Sequence, residues 1–103
     1  MASSIKIRAR KKKDVVDFKA LIQHPMETGL RKNANTGKTI PAHFIQEVRV
    51  ESNGDTVMTA YWSGGVSKNP YVSFKYAGKK GDTVTLSWSD NQGGTDTASA
   101  TVR

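Results

Sequence analysis

The chain has 103 residues, which is enough for one domain with a modest core. It has no cysteine, and this excludes disulfides, thiol nucleophiles and cysteine-ligated metals within the chain. The net charge is +7, and residues 1–13 hold six basic groups and no acidic one. We therefore predict a single domain over residues 1–103 whose positive charge is concentrated at its beginning.

No targeting or membrane segment is recognisable. The basic stretch 1–13 lacks the apolar region of about 7–15 residues that a signal peptide needs. The longest apolar runs have about three residues, as in Ala20–Ile22, so we expect no membrane contact. If the protein works outside the cytoplasm, we expect another protein to carry it there.

The first two segments alternate with a period of two. Residues 5–10 interleave three apolar with three cationic side chains, which predicts a half-buried strand with a cationic outer face. Residues 11–14 read as a turn. Val16 to Ile22 follow as a second strand, in which Leu21 is an apolar residue on the outer face.

The stretch from His24 to Ile45 interrupts this alternation. It holds two of the three prolines and is much longer than the usual connection of about 4–6 residues. Because it mixes apolar residues with turn residues, we predict a packed loop rather than a disordered one.

Alternation returns after Pro41 in five further segments. In the first of them Phe44 and Val48 share the core face, which places Ile45 on the opposite face, away from the core. Asn53–Gly54 is a strong hairpin signal. The remaining strands are predicted near residues 57–62, 72–76, 83–89 and 97–102.

Seven short strands without any helical period predict an all-β fold, an immunoglobulin-like antiparallel β-sandwich. A barrel of five or six strands is the alternative.

The sequence offers little for catalysis. Its two histidines, His24 and His43, flank the long loop and would make a metal site with Glu27 only if the fold joined them. The simpler interpretation is a hydrogen-bonded loop histidine on each side. There is no nucleophile motif, and the paired glycines open no helix, so we predict no enzyme and no cofactor.

The basic first strand suggests a second class, a nucleic-acid-binding domain. Lysines on an edge strand also serve to prevent aggregation, and no aromatic residue is interleaved with the basic ones. We therefore expect no nucleic-acid partner and keep this class as the alternative.

The third candidate is a protein-binding surface. Nine apolar residues either break the alternation or anchor the long loop, and we predict that they form a docking surface with Trp62 at its centre. They are Leu21, Met26, Leu30, Ile40, Pro41, Ile45, Met58, Trp62 and Tyr71. A long loop folded over the sheet would explain the same residues, and both interpretations stay open.

Four sequence stretches resemble the SoxZ family of sulfur-oxidation proteins. They are HPMETGLRK, IPAHFIQEV, SKNPYVSFK and GDTVTLSW, which begin at His24, Ile40, Ser67 and Gly81. The resemblance runs through roughly residues 5–103.

The resemblance implies an immunoglobulin-like sandwich that pairs with a second subunit, SoxY. SoxY carries a cysteine on a flexible glycine-rich arm, to which intermediates of thiosulfate oxidation are attached. The resemblance further implies transient contacts with other sulfur-oxidation enzymes, and a periplasmic location reached by export with a signal-bearing partner. The carrier cysteine is not on this chain, and its final residues read as a strand rather than as such an arm.

Overall fold

The computed structural model describes residues 4–103 and contains seven β-strands and no helix in that range. Accordingly, no helix in this part of the chain is long and apolar enough to cross a membrane. The prediction of an all-β fold with about seven strands is confirmed. The strands are β1 (Ile5–Lys12), β2 (Val15–Ile22), β3 (Ile45–Ser52), β4 (Asp55–Tyr61), β5 (Tyr71–Tyr76), β6 (Thr83–Asp90) and β7 (Thr95–Thr101).

The strands form two sheets. The order is β1-β2-β5 in the three-stranded sheet and β4-β3-β6-β7 in the four-stranded sheet, and every pairing is antiparallel. The sheets meet along one edge, where the Lys11 amide donates to the Arg103 carbonyl at 2.8 Å and the Arg103 amide donates to the Ala9 carbonyl at 3.0 Å. The fold is thus a sandwich of the predicted kind, not a barrel.

Period-two alternation explains the core. Phe18 and Ile22 from one sheet and Val48, Val50 and Leu86 from the other are fully buried, while their strand neighbours point outward. The Asn53–Gly54 hairpin also forms as predicted, with positive φ angles of 51° and 90° at its two central residues.

Ile45 is the clearest correction. We predicted that it points away from the core, but it has no exposed surface. The reason is a β-bulge: Ile45 pairs with Asp90 and Glu47 with Ser89, so Gln46 is an extra residue in β3. Ile45 and Val48, three positions apart, therefore both face the core.

Three other members of the predicted docking set also contact the core. Met26 is 5% exposed, and its sulfur accepts the Ile45 amide at 3.3 Å. Met58 lies opposite the fully buried Val50, and Met58 and Trp62 are half-buried against the core. For Met58 and Trp62 the expected position on the solvent face is wrong, because the inner face of edge strand β4 packs against the core. Met26 was expected to anchor the loop, and its burial is consistent with that.

The turns are divided between the two ends of the sandwich. The connections that follow β2, β4 and β6 are residues 23–44, 62–70 and 91–94. They meet at one end of the sandwich, which we call the loop end. The short connections 13–14, 53–54 and 77–82 lie at the other end.

Candidate functional site at the loop end

The segment between β2 and β3 folds back on itself as an irregular hairpin. Glu27 and His43 exchange backbone hydrogen bonds of 2.6 and 2.9 Å, and Lys32 and Thr39 form a second antiparallel bridge nearer the tip. The predicted packing of this loop holds at its base, where Met26 is buried, but not at its tip, where Leu30 is 85% exposed and residues 31–39 are all exposed. We call residues 24–43 the loop hairpin.

One glycine lets the two arms of the loop hairpin come together. Gly29 has a φ of +88°, and a Cβ atom added there would lie 3.1 Å from the Cβ of Ala42. A larger residue would be strained by its backbone angle and would also push the arms apart.

The base of the loop hairpin is tied to the second long connection. The His24 amide donates to the Asn69 side chain at 3.0 Å, and the Asn69 amide donates to the His24 carbonyl at 2.9 Å. A Cβ atom at Gly64 would lie 3.1 Å from the Cα of Thr28, so the two connections also pack closely farther out. Together with the buried Met26, these contacts fix the base in position.

Two histidines and one aspartate converge beneath this base, and we call them the His-Asp-His cluster. Asp90 Oδ2 lies 3.0 Å from His24 Nε2 and 2.8 Å from His43 Nε2. Its other oxygen, Oδ1, accepts the backbone amides of Gln92 at 3.0 Å and Gly94 at 2.7 Å. The carboxylate therefore joins the end of β6 to both ends of the loop hairpin.

Sequence reasoning identified the two histidines but not their acidic partner. Glu27, the residue we considered as a third ligand, forms an ion pair with Arg31 instead. Asp90 follows the strand predicted near residues 83–89 and is not among the candidate residues. The available signal was its position before Gly93–Gly94, since aspartate often accepts the amide two residues on in such turns.

The hydrogen bonds identify the tautomer of His24. Its Nδ1 accepts the backbone amide of Met26 at 3.1 Å, so that nitrogen carries no proton. The proton of the neutral ring is on Nε2, which donates it to Asp90. Because His24 is only 4% exposed, the ring is held between one donor and one acceptor without access to bulk water.

Hydrogen bonds from its neighbours keep the carboxyl group of Asp90 charged. Burial of Asp90 acts to raise its pKa, but hydrogen bonds from His24, Gly94, His43 and Gln92 outweigh this effect and hold the pKa at about 2. The carboxylate is therefore ionised at neutral pH, and all its hydrogen bonds are to the charged form.

A metal is a poorer fit than this hydrogen-bonded arrangement. The candidate ligand atoms of the three side chains lie within 4.8 Å of one another. If a metal were bound through His24 Nε2, the proton of the neutral ring would be on Nδ1. Nδ1 faces the backbone amide of Met26, so two N–H donors would point at each other. The cluster is better suited to holding the loop hairpin than to binding an ion.

The remaining predicted docking residues lie at the loop end. Leu21 and Tyr71 are cross-strand partners on the outer face of the three-stranded sheet and are 39% and 60% exposed. Leu30 on the loop hairpin is 85% exposed, with the exposed Pro41 and the half-buried Ile40 on the opposite arm. Partner contact by these residues stays a prediction.

One exposed aromatic residue was missed. Tyr61 is 78% exposed at the end of β4, on the outer face of the other sheet.

Comparison with known families gives a match that covers nearly the whole chain. The family model described as Sulphur oxidation protein SoxZ matches residues 5–101, which run from the first residue of β1 to the last residue of β7. No curated protein matches the chain. Since the match includes all seven strands and the loop hairpin between them, the chain belongs to the SoxZ family of sulfur-oxidation proteins.

Proposed function

We propose that this chain is the non-catalytic subunit of a two-chain carrier of sulfur intermediates. One observation carries the proposal: the chain belongs to a sulfur-oxidation family and has no cysteine. Covalent attachment of sulfur intermediates requires a thiolate. In this proposal a SoxY-like partner supplies the thiol, and this chain supplies the rigid half of the complex.

The His-Asp-His cluster supports a structural role. His24 and Asp90 are buried, and each donates or accepts hydrogen bonds within the protein. A general acid or base must reach the proton that it transfers. These two groups do not reach the surface, and His43, whose side chain is 33% exposed, has its Nε2 only 2.8 Å from Asp90. The cluster stabilises the loop hairpin, which is then available for recognition.

The exposed apolar residues at the loop end support partner binding there. Leu21 and Tyr71 form a cross-strand pair, and Leu30 and Pro41 extend from the loop hairpin. A stable heterodimer buries about 800 Å² per partner, and aromatic residues often dominate the binding energy. Because Trp62 is half-buried against the core, Tyr71 replaces it as our first choice of anchor.

The cellular setting is part of the same proposal. We infer a periplasmic complex that is exported together with its signal-bearing partner and makes transient contacts with other sulfur-oxidation enzymes. Co-expression tests this directly: this chain should reach the periplasm only when the partner carries its signal peptide.

We expect Tyr71→Ala to weaken binding of the SoxY-like subunit by roughly thirtyfold, corresponding to an anchor worth about 2 kcal/mol. The two chains are co-expressed, purified and separated, and their affinity is measured by calorimetry. Tyr61→Ala is the matched control, because Tyr61 is equally aromatic and more exposed but lies on the other sheet. Equal affinities for both variants and the unmodified chain would place the interface elsewhere.

We also expect the isolated chain to form no covalent adduct with thiosulfate, sulfite or thiol reagents. The chain has no thiolate to attack them. Mass spectrometry of the intact chain after incubation checks this, with the SoxY-like subunit as the positive control. A stable sulfur adduct on this chain would contradict the division of roles.

A further inference from the structure

The outer face of the three-stranded sheet is strongly cationic. Within residues 4–103 it carries six cations and one carboxylate, which accounts for five of the seven net positive charges. We call this surface the cationic face. Its basic side chains, all exposed, are Lys6, Arg8, Arg10, Lys12, Lys19 and Lys75.

The strand register compensates only part of this charge, because Asp17, which lies opposite Arg10, is the one carboxylate on the face. Arg8 lies directly opposite Lys19, a like-charge pair that destabilises the sheet. The carboxylate of Asp17 is shared, at 3.2 Å from Lys12 and 3.9 Å from Lys19. A hydrogen bond from Lys12 and the charges of Lys19 and Lys75 lower the pKa of Asp17. Across the described part of the chain, Arg8 has no acidic partner.

Protection of a sheet edge accounts for the five cations on edge strands β1 and β5, but not for Lys19. Lys19 is on β2, the central strand of its sheet, where no edge needs protection. The edge of β1 is itself partly occupied by hydrogen bonds with Arg103.

The two outer faces of the sandwich differ in charge balance. On the four-stranded sheet Arg49 pairs with Glu47 at 3.1 Å, and the neighbouring β6 and β7 positions carry hydroxyl pairs such as Ser87 with Thr97. The excess of positive charge is therefore specific to one face of the fold.

We propose that the cationic face docks an acidic surface of a protein partner. Alternate residues along β1 stand about 6.6–6.8 Å apart, so its charges form a ladder suited to an extended set of carboxylates rather than to one small anion. A binding carboxylate would relieve the repulsion between Arg8 and Lys19.

The geometry favours protein over nucleic acid. The face of a three-stranded sheet does not enter a duplex groove in the way that a helix or a two-stranded β-ribbon does. Single-strand binders stack several bases on aromatic side chains, and Tyr71 is the one aromatic residue on this face among those described. The proposal goes beyond the carrier-subunit function and does not depend on it.

The test uses the full chain and a fluorescein-labelled oligoglutamate peptide, with binding followed by fluorescence anisotropy at low and physiological salt. We expect Arg8→Glu to weaken binding roughly tenfold and to reduce its salt dependence. Lys38→Glu is the matched control, since it makes the same change of charge at an exposed position of the loop hairpin. It should bind the peptide as the unmodified chain does.

A thermal scan of the same variants separates binding from a structural role. Arg8→Glu places a negative charge opposite Lys19, so we expect its melting temperature to rise by roughly 2–5 °C while its peptide binding weakens. A structural role for Arg8 would lower the melting temperature instead.

Four results would overturn the proposal. The first is an equal loss of peptide binding in Arg8→Glu and Lys38→Glu, and the second is tighter binding of an oligothymidine than of the peptide at matched charge. The third is a melting temperature that rises with sulfate while the peptide does not bind, and the fourth is no peptide binding at low salt. Heterodimer formation is measured separately, so failure here is distinguishable from failure of the carrier-subunit proposal.

Discussion

Replacement of Asp90 by alanine should lower the free energy of unfolding by about 3–5 kcal/mol. The carboxylate accepts four hydrogen bonds, two from histidine side chains and two from backbone amides. Its removal leaves the buried His24 Nε2–H without an acceptor and releases the turn that follows β6. Urea denaturation followed by tryptophan fluorescence measures the loss, and Trp88, 5.1 Å from the His24 ring, is a local reporter.

The matched control for this variant is Asp14→Ala. Asp14 is exposed in the turn between β1 and β2, so its replacement should change the free energy of unfolding by less than about 0.5 kcal/mol. Equal destabilisation by the two substitutions would show that the His-Asp-His cluster adds nothing specific to stability.

Protonation of Asp90 should lower the free energy of unfolding in acid. The folded-state pKa of Asp90 is about 2, below its ordinary value of 3.8, so its ionisation stabilises the folded chain above about pH 4. That contribution, about 2 kcal/mol, is lost as the pH falls from about 4 to about 2. Asp90→Asn removes the titrating group, so its stability should fall less than that of the unmodified chain over this interval.

Replacement of Ile45 by aspartate should unfold the isolated chain. Ile45 is fully buried at the bulge in β3, where its amide also contacts the sulfur of Met26. A buried, unpaired charge costs several kcal/mol, which is comparable to the total stability of about 5–15 kcal/mol for a domain. Circular dichroism and size-exclusion chromatography of the purified variant measure the loss of structure.

Leu30→Asp introduces the same charge at a position that is 85% exposed, so that variant should fold and keep its melting temperature. Ile45→Ala provides a graded measurement, with an expected cost of about 2–5 kcal/mol. A folded Ile45→Asp variant of unchanged stability would mean that Ile45 is not in the core.

Ile45 shows why alternation predicted the correct face for most core residues but the wrong face for the first residue of β3. Alternation places Phe18, Val84 and Leu86 in the core, and the structure confirms it. Counting from Phe44 and Val48 by twos placed Ile45 outside. The extra residue Gln46 cancels that count, and no composition signal marks the bulge, since it becomes visible only when β3 is paired with β6.

The sequence by itself determined the all-β class, the approximate strand positions, the Asn53–Gly54 hairpin and the family resemblance, because each depends on residues close together in the chain. Backbone geometry imposes a period of two on any strand, and hairpin turns demand particular residues at fixed positions. Those constraints are local, so they can be read from local patterns.

Only the tertiary structure decided which residues meet across the sandwich. His24 and Asp90 are 66 positions apart and His43 and Asp90 are 47 apart, so only the packing of two sheets and two loops brings the three side chains together. The opposition of Arg8 to Lys19 likewise depends on the register between β1 and β2, because a shift of one residue would give each a different partner. Sequence patterns describe the face of each strand, whereas contacts between strands follow from register and packing.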